Sequence, residues 1–226
     1  MSFVFKNHLG MVGSEGGGGS GGTAKLSTTV FRINGSMNIN NGEIIPVTEN
    51  SFVMTNYNVS FTPTQWKKEL IIQLHLKTPP SLSNQWIMSN ADDWNTGIGM
   101  TINDDLGNAF WVCLGQTDTS KAQFLNGTTV PQTSTEYWVR VYKPNTENEA
   151  YDTLLQISTD GVNWTTEDSV AIANIESNYT TNGYLQLFNL GENGGGQRYQ
   201  GSIYFEDTFI SVDGEKIWYL IKGDIQ

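Results

Sequence analysis

Most of the chain consists of short segments in which apolar and polar residues alternate, separated by residues that favour turns. Residues 57–61, 136–143 and 153–158 follow this period of two. A period of two places alternate side chains on opposite faces of a β-strand, and the helical period is missing from these segments. Many short strands at regular spacing predict an all-β sandwich or barrel.

Turn signals fall between the predicted strands. Asn34-Gly35 and Asn41-Gly42 are dipeptides typical of tight hairpins, and Asp160-Gly161 and Asp213-Gly214 have the same character. Glycine supplies the positive φ angle that such turns require. Residues 103–107 are a further candidate hairpin loop between two apolar runs.

The chain divides into a short arm and one long domain. Residues 13–22 are nearly all glycine and serine, a composition that cannot bury apolar surface and is typical of a flexible linker. We therefore predict an N-terminal anchor peptide with its linker at residues 1–24 and one β-sandwich at residues 25–226. A domain of this length buries a sizeable core without disulfides. The single cysteine, Cys113, lies in an apolar run and is expected in the core.

The peptide before the linker is rich in apolar residues. A tethered apolar peptide suggests an anchor that docks on a partner or on a neighbouring subunit, and a homo-oligomer is expected. The alternatives are a disordered terminus or a remnant of a fusion. The residues predicted to dock are Phe3, Val4, Phe5, Leu9, Met11 and Val12.

Charge and hydropathy restrict the possible partners. The formal net charge is -11, which argues against nucleic acid and anionic membranes because both require basic surfaces. The first residues lack the apolar stretch of a secretory signal, and no run approaches the length of a membrane span. We therefore expect synthesis in a cytoplasm without export by the general secretion route.

Four stretches carry a family resemblance, and they are residues 137–141, 154–164, 183–188 and 199–218. The second of them contains the step Ser-x-Asp-Gly-x-x-Trp. Together they resemble the concanavalin A-like lectin/glucanase superfamily, in its laminin-G-like jelly-roll branch. The last stretch is similar to the end of such modules in bacteriophage tail, fibre and decoration proteins.

The resemblance implies a two-sheet antiparallel jelly-roll sandwich in a virion protein made in the host cytoplasm. It implies a capsid or tail protein of the same particle as partner for the arm, and host-surface carbohydrate as a further ligand. The alternatives are a glycoside hydrolase or lyase of the same fold, and a purely structural decoration protein without a ligand.

Glucanases of this superfamily carry Glu-x-Asp-x-x-Glu on one strand, which places carboxylates on the same concave face. The chain has no such triplet. Its acidic pairs fall mostly in predicted loops, and the adjacent pair Glu206 and Asp207 would face opposite ways on a strand. The sequence therefore predicts a protein that is not an enzyme.

Carbohydrate sites combine an aromatic ring with polar side chains, and loops carry several such residues here. Trp111 and Trp138 lie in apolar runs and are assigned to the core, whereas Trp164 and Trp218 are expected to pack on the sandwich after their turns. The residues predicted to bind carbohydrate are Trp86, Trp94, Asn95, Arg198 and Tyr199.

Metal binding is limited by the ligands available. Two histidines and one cysteine exclude a zinc site of the usual kind. Calcium is the candidate metal, because acidic loops supply oxygen ligands, and no other cofactor is expected. The candidate calcium ligands are Asp92, Asp93, Asp104 and Asp105.

Overall fold

A computed structural model describes residues 31–40, 42–61, 68–90, 97–114, 123–145, 152–171, 179–189 and 197–220. Apart from one 3-10 turn at Asp104–Leu106, the regular structure of these residues is β. Among them, no helix has the length and apolar content of a membrane span. The arm and its predicted docking residues lie outside the described residues, so the predicted domain boundary stays a prediction.

The strands of the first half of the chain are Phe31–Asn34 (β1), Met37–Asn40 (β2), Glu43–Pro46 (β3), Phe52–Phe61 (β4), Leu70–Lys77 (β5), Gln85–Ser89 (β6), Ile98–Asn103 (β7) and Ala109–Leu114 (β8). Those of the second half are Gln123–Asn126 (β9), Glu136–Lys143 (β10), Asp152–Ser158 (β11), Thr165–Ala171 (β12), Tyr179–Leu187 (β13), Gln197–Arg198 (β14), Ser202–Tyr204 (β15), Phe209–Val212 (β16) and Glu215–Tyr219 (β17).

These strands form two sheets. Sheet A has the order β1-β4-β13-β6-β7-β8-β9, with β14 added parallel to β6. Sheet B has the order β12-β11-β10-β5-β15-β3-β2, and β16 also pairs with β5 and carries β17. Except for the β14–β6 pair, the pairings are antiparallel, which confirms the predicted two-sheet antiparallel sandwich.

Strand β5 is the centre of sheet B. One of its edges pairs along its whole length with β10. Its other edge is shared, with β16 opposite residues 70–73 and β15 opposite residues 76 and 77. Side chains of β10, β5 and β15 are therefore neighbours on one surface, and this arrangement builds the candidate site.

The core lies between the inner faces of the two sheets. Leu74, Leu76 and Val139 of sheet B and Met100 and Val112 of sheet A are fully buried within one hydrophobic cluster. Each buried aliphatic side chain of this kind contributes about 1.5–3 kcal/mol to folding. Trp218 belongs to the same cluster, which confirms its predicted packing.

The turn predictions are confirmed with one correction. Gly161 and Gly214 have φ angles of 73° and 79°, and each closes a hairpin. Asn34-Gly35 has a positive φ at Gly35 (77°) but does not close a hairpin. It joins β1 of sheet A to β2 of sheet B, and a short-range signal cannot distinguish a hairpin from a crossing between sheets.

Candidate functional site

Alternation along β10 gives sheet B an outer face that is rich in aromatic rings. Val139 and Val141 are buried in the core, whereas Trp138, Arg140 and Tyr142 are half-buried on the opposite side of the strand. The outer face of sheet B therefore carries half-buried aromatic rings and a positive charge.

Arg140 lies between two of these rings. Its guanidinium carbon is 3.8 Å from the ring centroid of Trp164 and 5.2 Å from that of Tyr142. Its Nε donates a hydrogen bond of 2.9 Å to Oε1 of Gln156 on the neighbouring strand. Burial lowers the pKa of the guanidinium below its ordinary value. Cation–π contacts and this hydrogen bond fix the plane of the guanidinium.

The hairpin between β11 and β12 places Trp164 over Arg140. Asp160 turns the chain by accepting hydrogen bonds from the backbone N–H groups of Asn163 (2.7 Å) and Val162 (2.9 Å). Together with a bond from the Asn163 side-chain amide, these bonds hold the pKa of Asp160 well below its usual range. The prediction that Trp164 folds back on the sandwich is confirmed.

Beside this cluster, the rings of Trp138, His75 and Tyr204 stack across the central strands and form a ring row. The ring of His75 on β5 lies 3.9 Å from that of Trp138 on β10, with 12° between the planes. On its other side the ring of Tyr204 on β15 lies 4.1 Å away, at 20°. Gly161 packs closely against the indole of Trp138, since a Cβ at this glycine would lie 3.0 Å from the ring.

Two carboxylates accept hydrogen bonds from the outer two rings of the ring row. The Tyr204 hydroxyl donates to Oε1 of Glu136 at 2.7 Å, and the Trp138 indole donates to Oδ2 of Asp207 at 3.2 Å. Burial, with the bond to Glu136, raises the pKa of Tyr204 well above its ordinary value. Burial lowers the pKa of His75, although Glu136 lies 3.7 Å from its Nε2 and favours the proton. Burial therefore favours the neutral form of His75.

Two of the predicted carbohydrate residues are packed inside the domain, which is a correction. Tyr199 is 0 % exposed, and its hydroxyl donates to the backbone oxygen of Lys77 at 2.8 Å. Trp86 is 7 % exposed and packs on Trp111, with 6.1 Å between ring centroids, in a small cluster that also buries Cys113. Neither ring has a face available for stacking on a sugar.

Arg198 is half-buried and has partners within the domain. Its Nε donates to Asn189 at 3.1 Å, its Nη1 donates to Asn50 at 3.0 Å, and its guanidinium lies 5.0 Å from the Phe52 ring centroid. These contacts tie β14 to the start of β4. The predicted residues Trp94 and Asn95 lie outside the described residues.

The residues that build the outer face of sheet B were missed by the sequence prediction. Trp138 was assigned to the core because its neighbours are apolar, and that assignment is wrong: the side chain points outward. The alternation along β10 contains the signal for the outward position of Trp138. Trp138 lies two residues from Arg140 and therefore on the same face, whereas Val139 lies on the opposite face. Trp111 is likewise half-buried, outside the main core.

The acidic loops give no assembled metal site in the described part of the chain. Asp104 and Asp105 are exposed in the 3-10 turn, where the Asn103 side chain caps the Asp105 N–H at 2.9 Å. No group of three or more His, Cys, Asp or Glu side chains converges among the described residues. Asp92 and Asp93 lie outside those residues, so calcium binding stays a prediction.

Comparison with known proteins identifies the fold and not a sequence family. No protein family and no curated protein sequence matches the chain. Among solved structures, tailspike protein 2 of bacteriophage CBA120, in its enzymatically active domain, is similar with a TM-score of 0.58 and 11% identity, over 89% of this chain and 34% of that one.

Binding domains of botulinum neurotoxins are also similar in structure. The binding domain of botulinum neurotoxin DC in complex with SialylT gives a TM-score of 0.54 and 12% identity, over 87% of this chain and 45% of that one. The binding domain of botulinum neurotoxin serotype G gives 0.55 and 14%, over 81% and 43%. The chain thus spans less than half the length of these structures. Their shared two-sheet architecture shows that this chain has a lectin-like jelly-roll fold.

Proposed function

We propose that the chain is a non-enzymatic adhesion module of a virus particle that binds host-surface glycan through the outer face of sheet B. The observation that carries the proposal is the half-buried cluster of Trp164, Arg140 and Tyr142 beside the ring row. Binding sites of this kind combine aromatic surface with a few well-placed polar groups.

The similar structures support both parts of the proposal. One botulinum neurotoxin binding domain is in complex with SialylT, and cell entry of botulinum neurotoxin type C depends on interaction with two ganglioside molecules. The phage tailspike supports a place in a virion. A binding role on the same fold is consistent with the sites of this chain, because function resides in a site and not in a fold.

The absence of an acidic triplet supports a non-enzymatic role. His75 is unsuited to proton transfer, because its Nδ1 contacts the backbone oxygen of Glu206 at 3.2 Å and its Nε2 is buried. A general base must reach the proton that it abstracts. Polysaccharide cleavage is the second candidate function, and the observation that favours it is the enzymatic activity of the similar tailspike domain.

Replacing Trp164 by alanine is expected to weaken glycan binding about tenfold or more, while the domain stays folded. The indole is half-buried, and its loss costs one cation–π contact of about 1 kcal/mol instead of a core side chain. The measurement is a glycan array followed by titration of the best ligand.

Tyr184→Ala is the matched control, because Tyr184 is an aromatic residue on sheet A and is 51 % exposed. It should bind as the unaltered protein does. Equal binding by Trp164→Ala would contradict the assignment of the site. Release of shorter saccharides from the bound glycan would favour the enzymatic alternative.

We further propose that the apolar peptide at residues 1–12 attaches the module to a capsid or tail protein, with several copies in one particle. Deleting residues 1–22 is expected to leave the melting temperature unchanged and to abolish incorporation into particles. The glycine-rich linker supports this expectation, because few contacts cross such a boundary. A large drop in melting temperature would instead assign the peptide to the core of its own domain.

A further inference from the structure

We propose that the guanidinium of Arg140 binds the carboxylate of an acidic sugar unit, such as a sialic or uronic acid, within an otherwise neutral glycan. This inference rests on the proposed glycan-binding function and names the ligand class of the same surface. Three observations carry it: the hydrogen bonds of Arg140, the rings around it, and the charges on the rest of the face.

Within the described residues, Arg140 uses only part of its donor capacity. A guanidinium has five N–H donors, and the Nε–H to Gln156 is the one that is bonded there. No carboxylate of the described residues lies within 4 Å of it, so its counter-charge among them is the more distant Glu69, which accepts a hydrogen bond from Tyr142. Burial still lowers the pKa of the guanidinium, and a carboxylate in direct contact would stabilise its charge further.

The shape of the cluster favours a planar anion. Trp164 and Tyr142 flank the guanidinium, and the bond to Gln156 fixes its rotation, so the terminal amino groups are presented in a fixed plane. Arginine in such a plane binds a carboxylate through two parallel hydrogen bonds. The ring of Trp164 gives the apolar side of a sugar a surface beside the charge.

The remaining charges limit the ligand to one acidic group at this point. Glu136 and Asp207 lie along the ring row on the same surface and would repel further anions. Their carboxylate oxygens are instead suited to accept hydrogen bonds from neutral sugar hydroxyls. Heavily sulfated chains and nucleic acids are disfavoured by this arrangement and by the net charge of -11.

Titration calorimetry with glucuronic acid, N-acetylneuraminic acid and their uncharged methyl esters tests the inference. The esters keep the sugar and replace the negative charge by a methyl group on one carboxyl oxygen. The unaltered protein should bind at least one acid about tenfold or more tightly than its ester, and added salt should reduce the difference. Equal affinity for acid and ester would overturn the inference.

Variants of this chain show whether Arg140 is responsible. Arg140→Gln should abolish the preference for the acid, and Arg140→Lys should keep only part of it, because lysine retains the charge without the planar pair of donors. Lys216→Gln is the matched control, since Lys216 is an exposed cation of sheet B that lies over the Phe209 ring. It should leave the preference unchanged.

The two proposals fail in different ways. If Arg140→Gln keeps the preference for the acid, or if Lys216→Gln loses it, the role of Arg140 is wrong. If neutral glycans bind and Trp164→Ala loses them while acid and ester are bound equally, the adhesion function stands and only the ligand class is overturned. If the array and the calorimetry detect no glycan, both proposals are overturned. Matching melting temperatures for the variants show that each effect is local.

Discussion

Replacing Gly201 by alanine is expected to destabilise the domain by about 3 kcal/mol or more, because there is no space for a methyl group at this position. A Cβ built on Gly201 would lie 2.2 Å from the backbone oxygen of Lys77 and 2.5 Å from Cζ of Tyr199. Neither neighbour can give way easily. Lys77 is held in the ladder between β5 and β10, and the ring of Tyr199 is fully buried.

The substitution also acts on a buried hydrogen bond. The Tyr199 hydroxyl donates to the same Lys77 oxygen that the new methyl group would displace, so relief of the clash would break that bond. An unsatisfied buried polar group costs about 1–3 kcal/mol. Urea unfolding of both proteins measures the effect as a lower midpoint at an unchanged slope.

Gly107→Ala is the matched control for this prediction. Gly107 has a φ of 70° and no atom within 4 Å of a built Cβ, so the same substitution there meets backbone strain without a clash. That strain costs about 1–2 kcal/mol. If Gly201→Ala is no more destabilising than Gly107→Ala, the close packing of Gly201 on Tyr199 is not what restricts the position.

The fold could be predicted from the sequence because burial on one face imposes a period of two. Along β10 this period separates Val139 and Val141 from Arg140 and Tyr142, and the same reasoning places Trp138 on the outer face. The prediction failed at Trp138 because it relied on the apolar character of the adjacent residues. The position of Trp138 in the alternating pattern would have placed it on the outer face. The pairing of β10 with β5 and β15, which creates the ring row, joins residues far apart in sequence and has no local signal.

The misplacement of Tyr199 has a different cause. It lies between Arg198 and Gln200 in a polar context that is typical of a loop, and β14 is too short to display a period. What buries the ring is tertiary: Phe188 stacks on it at 6.2 Å, and its hydroxyl finds the Lys77 oxygen. A tyrosine can be buried because its one polar atom needs only one partner, and sequence does not reveal that partner.

Between pH 8 and pH 10, the free energy of unfolding should rise more in the unaltered protein than in the Lys143→Met variant. Lys143 is the last residue of β10 and shares the inner face of that strand with Val139 and Val141. It is only 2 % exposed, and its Nζ donates to the backbone oxygens of Lys68 at 2.7 Å and Pro144 at 3.1 Å. Burial lowers its pKa to about 8, while Glu69 nearby opposes the shift.

The direction of the pH effect follows from proton binding. Between pH 8 and the ordinary lysine pKa of 10.5, the unfolded chain holds a proton on Lys143 that the folded chain has released. Stability rises with pH wherever the unfolded state binds more protons, so the folded protein gains over this window and the residue contributes no slope below it. One pKa unit corresponds to about 1.4 kcal/mol, and with allowance for residual hydration of the ammonium we expect a gain of about 1 kcal/mol between pH 8 and pH 10.

Buried tyrosines change stability in the opposite sense at still higher pH. Burial raises the pKa of Tyr57 to about 12, so the folded state holds its proton longer than the unfolded state and stability falls above pH 10. Tyr57 is present in both proteins and cancels in their difference, which leaves the contribution of Lys143. Urea unfolding of both proteins at pH 7, 8, 9 and 10 gives this difference. Parallel curves would mean that Lys143 keeps an ordinary pKa, and that its ammonium is hydrated at the end of the strand instead of being enclosed by the sandwich.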